Sequence, residues 1–180
     1  MAEAKRMPFW VIFGVYPVLL AFILWLYQQV YFLPVQIPPK FLSSKSTLEL
    51  AIKCSAISTI PIFYLIIIVM LCRILTAAGN VLKEYQGIWF KVHSMCLQNT
   101  LEQNFLFAVN LIAIGAFEGL APEKIVLVTG IYIVSRVLFY LGYIAAGYTG
   151  IPAFRSVWMM LTFVNNGFLL WINVKTIFKL

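Results

Sequence analysis

The residues of this chain that could carry chemistry are few, and they recur at helical spacing. Gln98-Asn99-Thr100-Leu101-Glu102-Gln103-Asn104 is a polar run that opens directly into the apolar stretch 105–114. At about 100° per residue, Asn99, Glu102, Gln103, Leu106 and Asn110 fall on one face of a helix. Thr129, Tyr132, Arg136, Tyr140 and Tyr143 make a second stripe of this kind, and Arg155, Met159, Thr162 and Asn166 a third. A charged side chain at the centre of a bilayer costs on the order of 2 to 3 kcal/mol, and less near the interface. Three aligned polar faces therefore predict a cleft inside the protein or between subunits, since contact with acyl chains would leave them uncompensated.

The elements that must position these residues are membrane helices. The chain has 180 residues, 63% apolar and 11% charged, with a mean hydropathy of +0.95. That composition lies far outside the soluble range, and we read an all-α integral membrane protein with the lipid bilayer as its surroundings. The first apolar stretch, residues 8–33, corresponds to about 39 Å of helix. It is too long for a signal-peptide core and reads as a retained N-terminal span. Pro17 could kink it, and Trp10, Tyr27 and Tyr31 suit the aromatic belt. Residues 34–53, with Pro38-Pro39 and Ser43-Ser44-Lys45-Ser46, read as a polar loop. Further spans are expected at 54–75, 95–117, 125–146 and 154–178. Residues 80–92 form an interfacial connection before His93, 118–124 a tight turn, and 147–152 a short link rich in turn formers. The sum is five spans in an antiparallel helical bundle, divided into an N-terminal span and loop (1–53) and a four-helix membrane domain (54–180).

Other features mainly exclude. The net charge of +7 is spread over loops and span ends, without the dense basic run of a nucleic-acid or polybasic lipid site, so no nucleic-acid partner is expected. Cys54, Cys72 and Cys96 have none of the spacings that hold zinc, and no metal site is expected. Lys and Arg divide six against six between the two sides of the threading, and the weight of the first span favours a cytoplasmic N-terminus.

Antiparallel threading brings Arg73, at the end of the second span, to the same membrane face as Asn99, Glu102, Tyr143 and Arg155. Arg136 lies two turns deeper, about 10 Å below Tyr143. An ion pair of Glu102 with Arg136 or Arg155 that fixes helix register is one reading of these charges. The other is a cleft for a small anion: three arginines face one carboxylate, and guanidinium binds carboxylates through paired hydrogen bonds.

Asn99-x-x-Glu102 opening one span, Ser135-Arg136-Val-Leu-Phe139-Tyr140-Leu-Gly142-Tyr143 in the next and Arg155-Ser156 opening the last resemble the MAPEG superfamily, the membrane-associated proteins of eicosanoid and glutathione metabolism. The resemblance covers roughly residues 54–178. It implies a homotrimer of four-helix protomers in the endoplasmic reticulum or another endomembrane, with glutathione as cofactor in clefts between subunits near the cytosolic face; residues 8–33 would then be an additional helix. By position, Arg73 would meet a glutathione carboxylate, Asn99 and Glu102 its backbone or amino group, and Arg136 and Tyr143 the rest of the peptide. Arg155, with Ser156 beside it, falls where family enzymes stabilise the thiolate. A cation beside a thiol of pKa about 8.5 favours the nucleophilic form.

Two functions follow from the resemblance. One is a glutathione-dependent transferase or peroxidase acting on lipophilic electrophiles from the bilayer. The other is a catalytically silent scaffold or lipid-binding protein of the same fold, as in the mattrin-like branch. Gln98, Phe139 and Met159 stand where many members carry a basic residue, a histidine or tyrosine, and a tyrosine. A channel or transporter would want polar stripes through the full membrane depth, whereas here the charges crowd one face.

Overall fold

The computed structural model describes residues 16–32, 34, 46–75, 87–149 and 153–179, and among them every regular element is helical. In chain order these are α1 (Tyr16–Phe32), α2 (Thr47–Ile57), α3 (Ile60–Leu75), α4 (Ile88–Phe117), α5 (Pro122–Thr149) and α6 (Ala153–Phe178). Among the described residues four stretches are long and apolar enough to cross a membrane: Thr47–Leu75, Ile88–Phe117, Pro122–Gly147 and Arg155–Phe178. The protein is thus an all-α, multi-pass membrane protein. The expected first span is described only from Tyr16, and its start at residues 8–15, with Trp10, lies outside the described residues.

Several boundaries differ from the sequence expectation. The loop expected to reach Lys53 ends at Ser46, because Ser46-Thr47-Leu48-Glu49 forms a helix cap: Glu49 N donates to Ser46 Oγ at 3.1 Å. Glu49 and Lys53, which look like loop charges, pair at 2.6 Å one helical turn apart. The α2–α3 span breaks at Ser58-Thr59, where proline at position 61 has no N–H for the carbonyl of Ile57. At the other connection, helix α4 begins at Ile88, ahead of His93.

α4 ends in a left-handed residue, Glu118 (φ 53°), after which Gly119 N donates back to Ile114 O at 3.0 Å. This closes the helix so that Pro122 can open α5 at a position needing no N–H. α4 and α6 run parallel with α5 antiparallel between them. Asn166 Nδ2 donates to Gln103 O and Oε1 at 3.2 and 3.1 Å, and Asn173 Nδ2 to Asn110 O and Oδ1 at 3.0 and 2.9 Å. Both pairs are 63 residues apart and separated by one heptad, so the amides fix the register.

The main core joins α2, α4, α5 and α6 through Ala51, Phe107, Leu111, Ile114, Val128 and Leu169, with Phe107 stacked on Tyr132 at 4.3 Å. α1 lies on α6, where the Tyr27 hydroxyl donates to Asn165 Oδ1 at 2.9 Å. Tyr27 is therefore an internal contact, in place of the interfacial position expected of it.

α2 and α4 approach closely at Gly115. A Cβ there would lie 2.5 Å from Ala51 Cβ and 3.0 Å from the Leu48 backbone, so small residues set the helix separation. Gly115→Ala is expected to destabilise the bundle by about 1 to 3 kcal/mol through overpacking, measured as a lower melting temperature in detergent. Gly130→Ala, where a Cβ would meet nothing within 4 Å, should leave it unchanged or slightly raised.

Candidate functional site

Among the described residues the deepest charged one is Arg136, on α5 and only 1% exposed. Its partners are neutral. Nε donates to Thr162 Oγ1 at 3.1 Å and Nη1 to Asn99 Oδ1 at 3.0 Å, while Nη2 also reaches Thr162 Oγ1. The guanidinium sits 4.5 Å from the Phe139 ring centroid, a favourable face for a cation out of water. Thr162 is held in turn by Ser135 at 2.9 Å. Asn99, Arg136 and Thr162 thus tie α4, α5 and α6 together; each lies on one of the three polar stripes, although the threading sets Arg136 deeper than the face that holds Asn99.

Above this layer opens a cleft of about 390 Å³ lined by Met95, Gln98, Asn99, Glu102, Phe139, Tyr143, Arg155, Ser156 and Met159. Its volume lies at the lower end of small-molecule sites. The N-terminal half of α4, the C-terminal part of α5 and the first turns of α6 supply its walls. Arg155 is half-buried and stacks over the Tyr143 ring at 5.0 Å, and Tyr143 packs edge-on to Phe139 at 5.4 Å. Glu102 is exposed at the rim and accepts from Gln98 Nε2 at 3.1 Å. Phe139 and Tyr143 of the cleft wall pack with Cys96 and Leu65 in one apolar cluster.

Of the expected site residues, Asn99, Glu102, Tyr143, Arg155 and Ser156 line one cleft. Arg136 lies below it and acts on it through Asn99. Arg73 is set apart at the end of α3, its guanidinium 5.6 Å from the Phe90 ring. Among the described residues no ion pair joins Glu102 to Arg136 or Arg155; Gln98 and the Asn99–Thr162 layer take those places. The α4 stripe is also split. Gln103 and Asn110 turn inward to α6, while Glu102 and Leu106 turn outward. The inward amides extend the polar layer deeper than the charges go: Asn166 and Asn173 each donate through Nδ2 to α4, while their Oδ1 atoms are buried with no partner among the described residues.

Sequence reasoning passed over Met95, which lines the cleft, and Asn173, which continues the heptad from Met159 and Asn166. Spacing was the available signal for both. Among the described residues no group of His, Cys, Asp or Glu could hold a metal ion.

Among the described residues the arrangement offers one cation, one carboxylate, two amides and two hydroxyls beside the apolar side chains of Met95, Phe139 and Met159. That set can bind a small zwitterionic or anionic molecule and stabilise a negative charge beside Arg155. Comparison with family models matches residues 51–175 to the MAPEG family. No curated protein and no solved structure matches the chain.

Proposed function

Because the chain belongs to the MAPEG family, we propose that it is a glutathione-dependent transferase or peroxidase acting on lipophilic electrophiles drawn from the bilayer. The observation that carries this reading is the convergence of Arg155, Ser156, Asn99 and Glu102 on one cleft. Glutathione has two carboxylates, an amino group and a thiol. Glu102 suits the amino group, Asn99 the peptide, and Arg155 with Ser156 the sulfur. Bound there, glutathione supplies a thiolate nucleophile. Arg155 holds the negative charge, Asn99 keeps the peptide in register because Arg136 fixes its side-chain oxygen, and Met95, Phe139 and Met159 offer the apolar wall for the second substrate.

The fit is incomplete in one chain. Among the described residues Arg155 is the one cation that lines the cleft, and a ligand with two carboxylates calls for another. Arg73 of an adjacent copy would supply it. Glu102 points the same way: it lies about 20 Å along α4 from Ile88, exposed beside exposed Leu101, Phe105 and Leu106, where hydrocarbon contact would be costly. We therefore include a homotrimer with intersubunit sites in the proposal, together with a fifth, N-terminal span and an endoplasmic-reticulum location.

A second reading, a silent scaffold or lipid-binding protein of this fold, draws on the Gln98–Glu102 hydrogen bond, which already engages the carboxylate meant for the amino group. Titrating the purified protein with glutathione while following thiolate absorbance and conjugation of a generic aromatic electrophile separates the two. The enzyme reading expects saturable binding and turnover. Absence of both would overturn it in favour of the scaffold.

A further inference from the structure

A larger groove, about 840 Å³, lies at the other end of the bundle between α1, the α4–α5 turn and the C-terminal part of α6. It shares no lining residue with the arginine cleft. We propose that it binds an anionic glycerophospholipid, with an acyl chain against Leu24, Tyr27, Phe168 and Ile172 and the phosphate held by Lys175 and Lys179.

Position, shape and charge agree on this occupant. Lys175 follows Arg155 by about 30 Å of helix, the thickness of the hydrocarbon layer. With the cleft at one membrane face, the two lysines sit at headgroup level of the opposite leaflet. Trp171 and Tyr31, which also line the groove, mark that level as interfacial aromatics do. From Leu24 to Phe32, α1 offers about 12 Å of mostly apolar wall running down from the lysines into the bilayer.

Among the described residues the lining includes two lysines and no carboxylate; Glu118 and Glu123, at the same end of the bundle, do not line it. The Lys175 ammonium is 5.4 Å from the Trp171 ring centroid, which holds it at the mouth, and Lys179 is exposed. A third cation, Lys124, donates to the Tyr31 carbonyl and lies 4.6 Å from the Tyr31 ring centroid. It fastens α1 against α5 and so keeps the groove open. An apolar slot ending in two ammonium groups selects an amphiphile with net negative charge over a zwitterionic one. A lysine at the membrane surface is worth about fivefold in affinity for anionic lipid.

The test is native mass spectrometry of the full chain released from detergent loaded with equal phosphatidylglycerol and phosphatidylcholine. Wild type is expected to retain phosphatidylglycerol over phosphatidylcholine by about 25-fold, about fivefold from each of the two lysines. Lys175→Gln with Lys179→Gln should bring the ratio near one while lipid retention persists. Leu24→Trp, which fills the slot, should lower both adducts, and Lys91→Gln, on the cleft side, should change nothing. Equal retention by wild type, or a ratio unmoved by the lysine pair, overturns the proposal. So does a Leu24→Trp chain that keeps its lipid but loses self-association, which would make a second copy the occupant. Circular dichroism melting of each variant separates loss of the site from loss of the fold.

Discussion

Arg155→Ala is expected to lower electrophile conjugation by about 10²- to 10³-fold with little change in melting temperature. The two effects separate because of where Arg155 sits. It stacks on the Tyr143 ring at 5.0 Å, half-buried at the start of α6, so truncation leaves no orphaned buried group. In the proposed reaction it is the cation at the sulfur. A thiol without that cation returns toward its ordinary pKa of about 8.5, and the thiolate fraction at pH 7 falls accordingly. The sign follows directly: wild-type rate should be nearly flat above neutrality, whereas the Ala variant should recover as pH rises through about 8.5. Arg155→Lys should fall between them, since it keeps the charge and loses the planar stack and the paired donors. A rate in Arg155→Ala equal to wild type at pH 7 would show that another cation, Arg73 of a neighbouring copy first, carries the sulfur.

Helical spacing, with antiparallel threading, set Asn99, Tyr143 and Arg155 at one membrane face and Arg136 two turns deeper, whereas the long Arg136 side chain reaches both Asn99 and Thr162 directly. Spacing could not tell which edge of a stripe faces inward. Glu102 and Gln103 are adjacent in sequence and differ by about 100° around α4, so one lines a rim and the other bonds Asn166. Charge arithmetic suggested that the lone acid would find an arginine. Burial decided otherwise, since Arg136 is satisfied by neutral oxygens and a ring face before any carboxylate reaches it. The start of α2 was legible in the Ser46-x-x-Glu49 cap but was masked by the polarity of Lys45 and Lys53. Hydropathy reads a charged first turn as loop. Tyr27 illustrates the remaining limit: a tyrosine near a span end suits the interface equally well until its partner, Asn165, is known.

The second large effect concerns Arg136, where size and charge have different roles and two substitutions tell them apart. Arg136→Ala removes a fully buried side chain at the junction of α4, α5 and α6. It should destabilise the protein by about 2 to 5 kcal/mol, the range for opening a cavity of that kind. Arg136→Met keeps most of the volume without the charge. Exchanging a buried ionic group for an apolar one of similar size is often neutral or favourable. Two of the partners also survive the exchange: Thr162 keeps Ser135 and the Trp158 carbonyl, and Asn99, at the cleft wall, can turn to water. Arg136→Met is therefore expected to melt within a few degrees of wild type. Its defect should instead be in the site, because Asn99 Oδ1 loses the donor that aims it. Under the proposed function, glutathione affinity should fall about tenfold, the equivalent of one hydrogen bond of about 1.5 kcal/mol. Thermal melting and a glutathione titration on both variants decide the matter. A Met variant as unstable as the Ala variant would mean that the charge itself, through Asn99 and Thr162, holds the three helices together.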